Sequence, residues 1–194
     1  KMQSDFNFWV VETSPRRRYK DLKTGLYDLI FFESPLWGWQ KRNIKYQASR
    51  PYARGGEKFI ARKTKGENIN QAIFSNILEK KVLLFSGFHY NFLGFNTDVI
   101  DGENISYTNS HEGNILNIIK GHGDIALVTE SFLNIFLKKN PQLREKIIIS
   151  KKYDQVYSHQ VLMREDSPIS LDQLQNILTT MTNENFFKDL LHAN

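Results

Sequence analysis

The 194-residue chain contains no cysteine. That absence excludes a disulfide framework, a thiolate nucleophile and a thiolate metal site, and it fits an oxidising compartment. Long apolar runs are missing too. No stretch approaches the ~20 residues that span a bilayer, and Lys1 opens the chain without the charged and then apolar pattern of a secretion signal. The expectation is a soluble chain whose start is a processed or cut end. Charge of one sign is also scarce. Lys plus Arg number 26 against 21 Asp plus Glu, a net +5 spread along the chain, and the longest basic run is Arg16-Arg17-Arg18. A nucleic-acid binder concentrates its excess on one element, because neutralising several phosphates together gives the affinity, so no nucleic-acid partner is expected. No Gly-x-Gly-x-x-Gly fingerprint or P-loop is present, and His89 and His122 lack a partner at metal-ligand spacing. Neither a cofactor nor a metal is expected.

What remains is a globular composition, 40% hydrophobic and 24% charged, sufficient to bury a core. Apolar runs alternate with helical patterns, which predicts an α/β fold with largely parallel sheets. Strands are predicted at residues 8–11, 27–32, 57–62, 82–85, 104–108, 125–128, 146–150 and 156–163. Ser14 and Pro15 start a helix that Gly25 ends, and further helices are predicted at 69–78, 112–120, 131–138 and 170–192, the last with a break near Thr182. Residues 57–158 hold enough strands for one lobe, and the flanks 1–56 and 159–194 combine into another, with hinges near 54–58 and 155–160. In open α/β sheets ligands bind beyond the carboxyl ends of the strands, so two such lobes are expected to face a ligand cleft.

The stretch from Trp37 to Tyr52, WGWQKRNIKYQASRPY, interleaves basic and aromatic residues. It follows a strand containing Tyr27-Asp28, and Gly25, Asp28, Arg42, Ser49, Pro51 and Tyr52 stand at matching places in a known pattern. Gly121-His-Gly-Asp124-Ile-Ala-Leu-Val resembles a Gly-Arg-x-Asp-Ala strand, and Leu83 to Tyr90 sits where a strand, a glycine turn and a helix would follow. In order and spacing these motifs resemble the family-3, polar amino acid type, periplasmic solute-binding proteins of ABC transporters, along essentially the whole chain. The resemblance implies a two-lobed type 2 periplasmic binding fold with mostly parallel sheets and a central cleft. It also implies a periplasmic monomer, its signal peptide removed, that binds a small-molecule ligand, a carboxylate, and hands it to an ABC permease or a sensor partner. Family members begin with a strand, a loop and a helix ahead of the equivalent of Phe8 to Val11, and those have no counterpart here.

The resemblance places the ligand on Arg42, whose guanidinium presents paired donors to a carboxylate. Without the resemblance, Arg42 reads as a solvated charge beside Lys41 and Lys45. The loop before it, with Glu33, Ser34, Trp37 and Trp39, replaces the hydroxyl-rich loop of the family; its tryptophans offer a flat apolar ligand face or simply pack on their own lobe. The turn Ser86-Gly87-Phe88 offers backbone N–H groups at a helix start to an anion. Phe88 and Tyr90 would stack on the ligand, although aromatics after a strand more often belong to the core. The ammonium-binding aspartate of the family falls on Thr129, with Glu130 beside it, so either Glu130 substitutes or the ligand carries no α-ammonium. No nucleophile motif is assembled, and a binding function rather than catalysis is expected. The alternatives are a ligand-sensing domain and a dehydratase-like enzyme, the latter resting on a Glu33 and Glu130 pair.

Overall fold

The computed structural model of the chain describes residues 5–63, 70–96 and 104–187. In chain order its helices and strands are α1 (Arg18–Lys23), β1 (Leu29–Glu33), β2 (Gln47–Ala48), β3 (Ala53–Arg62), β4 (Val82–Phe85), β5 (Ile105–Thr108), α2 (His111–Lys120), β6 (Ile125–Thr129), α3 (Glu130–Lys139), β7 (Ile147–Met163) and α4 (Leu171–Asn183). They fall into two units. Unit 1 holds residues 1–54 and 157–193, and unit 2 holds residues 55–156.

In unit 2 the sheet order is β3-β6-β4-β5. β4 runs parallel to both β5 and β6, and β3 runs antiparallel to β6. Period-two alternation sorts the side chains onto the two faces. Phe59, Val82, Leu84, Ile125 and Leu127 enter one core with Tyr90, while Ile60, Leu83, Ala126 and Val128 enter the other beneath α2 and α3. Strands buried on both faces read as unbroken apolar runs, which is why Val82–Phe85 and Ile125–Val128 were recognisable. Ser110 caps α2 by accepting the Gly113 N–H at 2.8 Å, and Gly121, at φ 82°, closes it in the left-handed conformation.

In unit 1 both β1 and β2 pair with β7 antiparallel. Among the described pairings, parallel ones are thus found in unit 2, between β4 and its neighbours β5 and β6. Val161 and Met163 face a core built with Leu174 and Leu178 of α4, and Leu162 faces a second with Tyr19, Leu22 and Trp39. A capping box at Ser170 and Gln173 starts α4.

Several expectations are corrected. Residues 8–11 carry no strand assignment. The helix expected over 69–78 is two short 3-10 turns, Gln71–Phe74 and Ile77–Glu79, separated where Asn76 adopts φ 50°; Ile69 lies outside the described residues. The strands expected at 146–150 and 156–163 are one strand of 17 residues, whose polar middle hid its continuity. The chain beyond Leu83–Phe85 forms a 3-10 turn, Asn91–Leu93, in place of a helix. Residues 188–192 of the predicted last helix lie outside the described residues.

Candidate functional site

Two surfaces carry the residues singled out from the sequence, one in each unit. In unit 1, β1 contains a bulge between Ile30 and Glu33. Phe32 sits there at φ 59°, unusual for a bulky residue, and its N–H donates to Tyr52 Oη at 2.7 Å. The bulge sets Glu33 inward. Its carboxylate pairs with Arg18 Nε at 3.0 Å and accepts from Trp39 Nε1 at 2.9 Å, with Glu33 only 4% exposed. Burial of two opposite charges requires such mutual satisfaction. Glu33 and Trp39, expected at the ligand, lie in the core of unit 1: Trp39 is fully buried, tilted against Tyr19 at 4.6 Å. Ser34 is buried as well, and its hydroxyl accepts from Leu36 N–H in the turn that follows.

Trp37 and Arg42 differ, since both are half-buried. Trp37 stands edge-on to Tyr157 at 4.8 Å and to His159 at 6.1 Å. Arg42 lies over the Tyr19 ring at 4.1 Å and donates to the Gly38 carbonyl at 3.1 Å. Ser49 and Tyr52, the hydroxyl-bearing residues of the family motif, tie the unit together: Ser49 Oγ accepts from Val161 N–H at 2.9 Å. Arg18 was missed, being noted only as part of the longest basic run. Its signal was available, because Arg18 and the fully buried Leu22 are four apart on α1 and share its inward face.

In unit 2 the register pairs Phe85 with Thr108 and Val82 with Ile125, so the carboxyl ends of β4, β5 and β6 are level. Three connections start there. The Ser86-Gly87 turn, with Gly87 at φ 82°, follows β4; α2 begins after β5; α3 begins directly after β6. Thr129 is the residue before α3, and its side chain does not cap that helix. Glu130, in the first turn, accepts from Tyr153 Oη at 2.7 Å, and Tyr153 in turn lies beneath the Lys58 ammonium at 3.4 Å. Phe88 packs against Phe85 at 4.5 Å and stands edge-on to His111 at 5.3 Å. Tyr90, expected at the ligand, lies in the core: it is 2% exposed, and its hydroxyl accepts from Phe85 N–H at 2.8 Å.

His111 was not anticipated. It opens α2, packs among Phe85, Phe88 and Phe132, and burial lowers its pKa to about 4, so the ring is neutral. A second unanticipated group lies deeper. Glu57 is 2% exposed, and burial pushes its carboxyl up to about 8, against the Gln155 amide at 3.1 Å that favours the charged form. The Gln155 amide also donates to the His89 carbonyl, and Asp154 accepts the Asn91 and Phe92 N–H groups at 2.7 and 2.9 Å. Among the described residues no group of three or more His, Asp or Glu side chains could hold a metal ion, and no helix is long and apolar enough to cross a membrane.

The architecture is that of the type 2 periplasmic binding proteins. ArgBP from T. maritima matches 94% of this chain, which spans 75% of its length, at 16% identity and a TM-score of 0.68. A binding component of an ABC transporter from Wolinella succinogenes, complexed with lysine, matches 94% of the chain over 76% of its own, at 16% identity and a TM-score of 0.67. The GluR0 ligand-binding core in complex with L-glutamate matches 95% of the chain over 79% of its own, at 13% identity and a TM-score of 0.68. At such identities the likeness is one of fold. No curated protein matches the sequence. At the family level, residues 91–193 match the ABC transporter, phosphonate, periplasmic substrate-binding proteins, and the chain belongs to that family. It is a solute-binding protein of extracytoplasmic type.

Proposed function

We propose that this protein captures a small anionic solute, a carboxylate or a phosphonate, outside the cytoplasm and presents it to an ABC permease. The observation that supports this reading is the level edge of β4, β5 and β6 in unit 2. The Ser86-Gly87 turn and the starts of two ten-residue helices lie along that edge. Oriented backbone N–H groups and helix dipoles at such an edge favour negative charge, and the matched family is named for a phosphonate. Phe88, Thr129 and Glu130 are assigned to this surface, and Arg42 and Trp37 to that of unit 1. Ligand uptake would proceed by the hinge closure characteristic of periplasmic binding proteins.

A second reading, an amino acid as ligand, rests on Glu130, whose carboxylate suits an ammonium group. Lysine and L-glutamate in two of the matched structures support it. A sensor in place of a permease would use the same surfaces, and a dehydratase-like enzyme would convert its ligand.

Native mass spectrometry of freshly purified protein tests the class of ligand, followed by calorimetry with methylphosphonate, phosphate, L-glutamate and L-lysine. Saturable heat with an anion recovered unchanged after overnight incubation is expected. Formation of a product would replace the binding reading with a catalytic one, and an absence of binding to all four would remove the anion reading.

A further inference from the structure

The backbone between β4 and the 3-10 turn Asn91–Leu93 belongs to no helix or strand, yet His89 and Tyr90 within it are 3% and 2% exposed. Buried backbone groups need partners, and here side chains from elsewhere in unit 2 supply them. The Gln155 amide donates to the His89 carbonyl, and Asp154 accepts the N–H groups of Asn91 and Phe92. The same Gln155 nitrogen donates to Glu57 of β3 at 3.1 Å. The Ser86-Gly87 turn is thus anchored on both sides. On the β4 side the Ser86 N–H donates to the Thr108 carbonyl at 2.9 Å and the Phe88 N–H to the Phe85 carbonyl at 3.3 Å. On the far side it depends on Gln155 and Asp154.

The two carboxyl groups of this network are answered differently. Asp154 accepts two N–H groups, which favour its charged form, although burial still raises its pKa. Glu57 has an amide opposite it instead of a cation. Lys58, next on β3, turns to the other face, where its ammonium meets the Tyr153 ring and donates to the Lys151 carbonyl at 3.0 Å. The titratable groups facing Glu57 are Asp154 on β7 and the Tyr90 hydroxyl after β4, and its register partner on β6 is Thr129. Both titratable neighbours are acids, so loss of the Glu57 proton sets a second negative charge beside Asp154 in a buried place.

We propose that Glu57, Gln155 and Asp154 are positioning residues for the Ser86-Gly87 turn, and that the proton on Glu57 keeps this turn in its anion-binding arrangement. With Glu57 neutral, the Gln155 amide serves both the carboxyl and the His89 carbonyl. An ionised Glu57 draws that amide into a charge-assisted bond and calls for further donors or water, at the expense of the His89 contact. The turn is then released on its far side, and the new charge opposes an anion as well. Both effects have one sign. Anion affinity is complete while Glu57 is protonated and is lost as the pH rises through about 8. This loss of affinity rests on the anionic-solute reading of the site, whereas the coupling of Glu57 to the turn does not.

Carbon-detected NMR of the Gly87 Cα resonance in the ligand-free chain, from about pH 6 to about pH 9.5, tests the coupling. The resonance should titrate with a midpoint of about 8 in the parent and stay flat in Glu57→Gln, which mimics the protonated carboxyl. Calorimetry with methylphosphonate over the same range gives the ratio of parent to Glu57→Gln affinities, in which the ligand's own titration cancels. That ratio should be unity at the acid end and fall on the order of tenfold at the alkaline end. Gln155→Met, which removes the donor to His89, should weaken methylphosphonate at every pH and flatten the Gly87 profile; if it does not fold, Glu57→Gln decides alone. An identical Gly87 profile in Glu57→Gln would overturn the proposal. So would an affinity ratio constant with pH while the alkaline limb of the melting profile flattens, because Glu57 would then serve stability alone. Absence of methylphosphonate heat at every pH, with Gly87 titrating in the parent only, would remove the anion reading and leave the positioning role standing.

Discussion

Tyr153 donates its hydroxyl to Glu130 at 2.7 Å, which fixes a carboxylate in the first turn of α3, beside the strand ends assigned to the ligand. A negative charge there suits the helix dipole but opposes an incoming anion. On the proposed reading, Glu130 would discriminate between the two ligand classes.

Glu130→Gln is expected to strengthen methylphosphonate binding by on the order of 1 kcal/mol, since it removes a like charge. If the ligand is an amino acid, the same change should weaken it by about 1.5–3 kcal/mol, the worth of a charge-assisted hydrogen bond. Calorimetry separates these outcomes by sign, and no change with either ligand would place Glu130 outside the site.

Arg42→Ala should abolish binding of a carboxylate or phosphonate ligand. Its effect on the ligand-free protein should be small, because the guanidinium gives up a cation–π contact with Tyr19 worth about 0.5–1 kcal/mol. A melting temperature lower by about 1–4 °C follows for a chain of this size. Parent-like affinity in the variant would remove Arg42 from the ligand surface.

Trp39→Phe should cost about 1–3 kcal/mol by leaving the buried Glu33 carboxylate short of one donor, with ligand affinity unaffected. Thermal unfolding measures the first effect and calorimetry the second. A loss of affinity at unchanged stability would return Trp39 to the binding surface.

Buried carboxyl and imidazole groups should shape opposite limbs of the pH–stability profile. The folded pKa of Glu57 lies at about 8, above its ordinary value of 4.5, so its contribution is complete below 4.5 and is lost as pH rises to 8. His111 and His159 are held at about 4 by burial, below their ordinary 6.5, so their contribution is complete above 6.5 and is lost as pH falls to 4. In melting curves taken from pH 4.5 to 9, Glu57→Gln should flatten the alkaline limb and leave the acid limb in place. An unchanged alkaline limb in that variant would show that Glu57 is not the group responsible.

Much of unit 2 was legible because its signals are local. Leu83 and Leu84 alternate between two cores, Ser110 caps the helix that it precedes, and Gly121 ends it, so each could be recognised from a few neighbouring residues. The Ser86-Gly87 turn was legible for the same reason. The burial of Glu33 and Trp39 was not legible because their partners are remote in sequence or hidden by a bulge. A carboxylate beside a tryptophan-rich loop looks like a ligand contact until Arg18, fifteen positions earlier, is found buried against it. β7 was divided because Lys151 and Lys152, exposed on a continuous strand, broke its apolar pattern.

By itself the sequence determined the elements whose signals are local, β4, α2 and β6 among them, since hydrophobic period, caps and turns act over a few residues. It also determined the absence of thiol chemistry. Tertiary structure alone decided which charges are buried, which aromatics are core and which strand ends stand level. Those depend on groups that the chain brings together across many positions, where desolvation and pairing, rather than local propensity, set the energy.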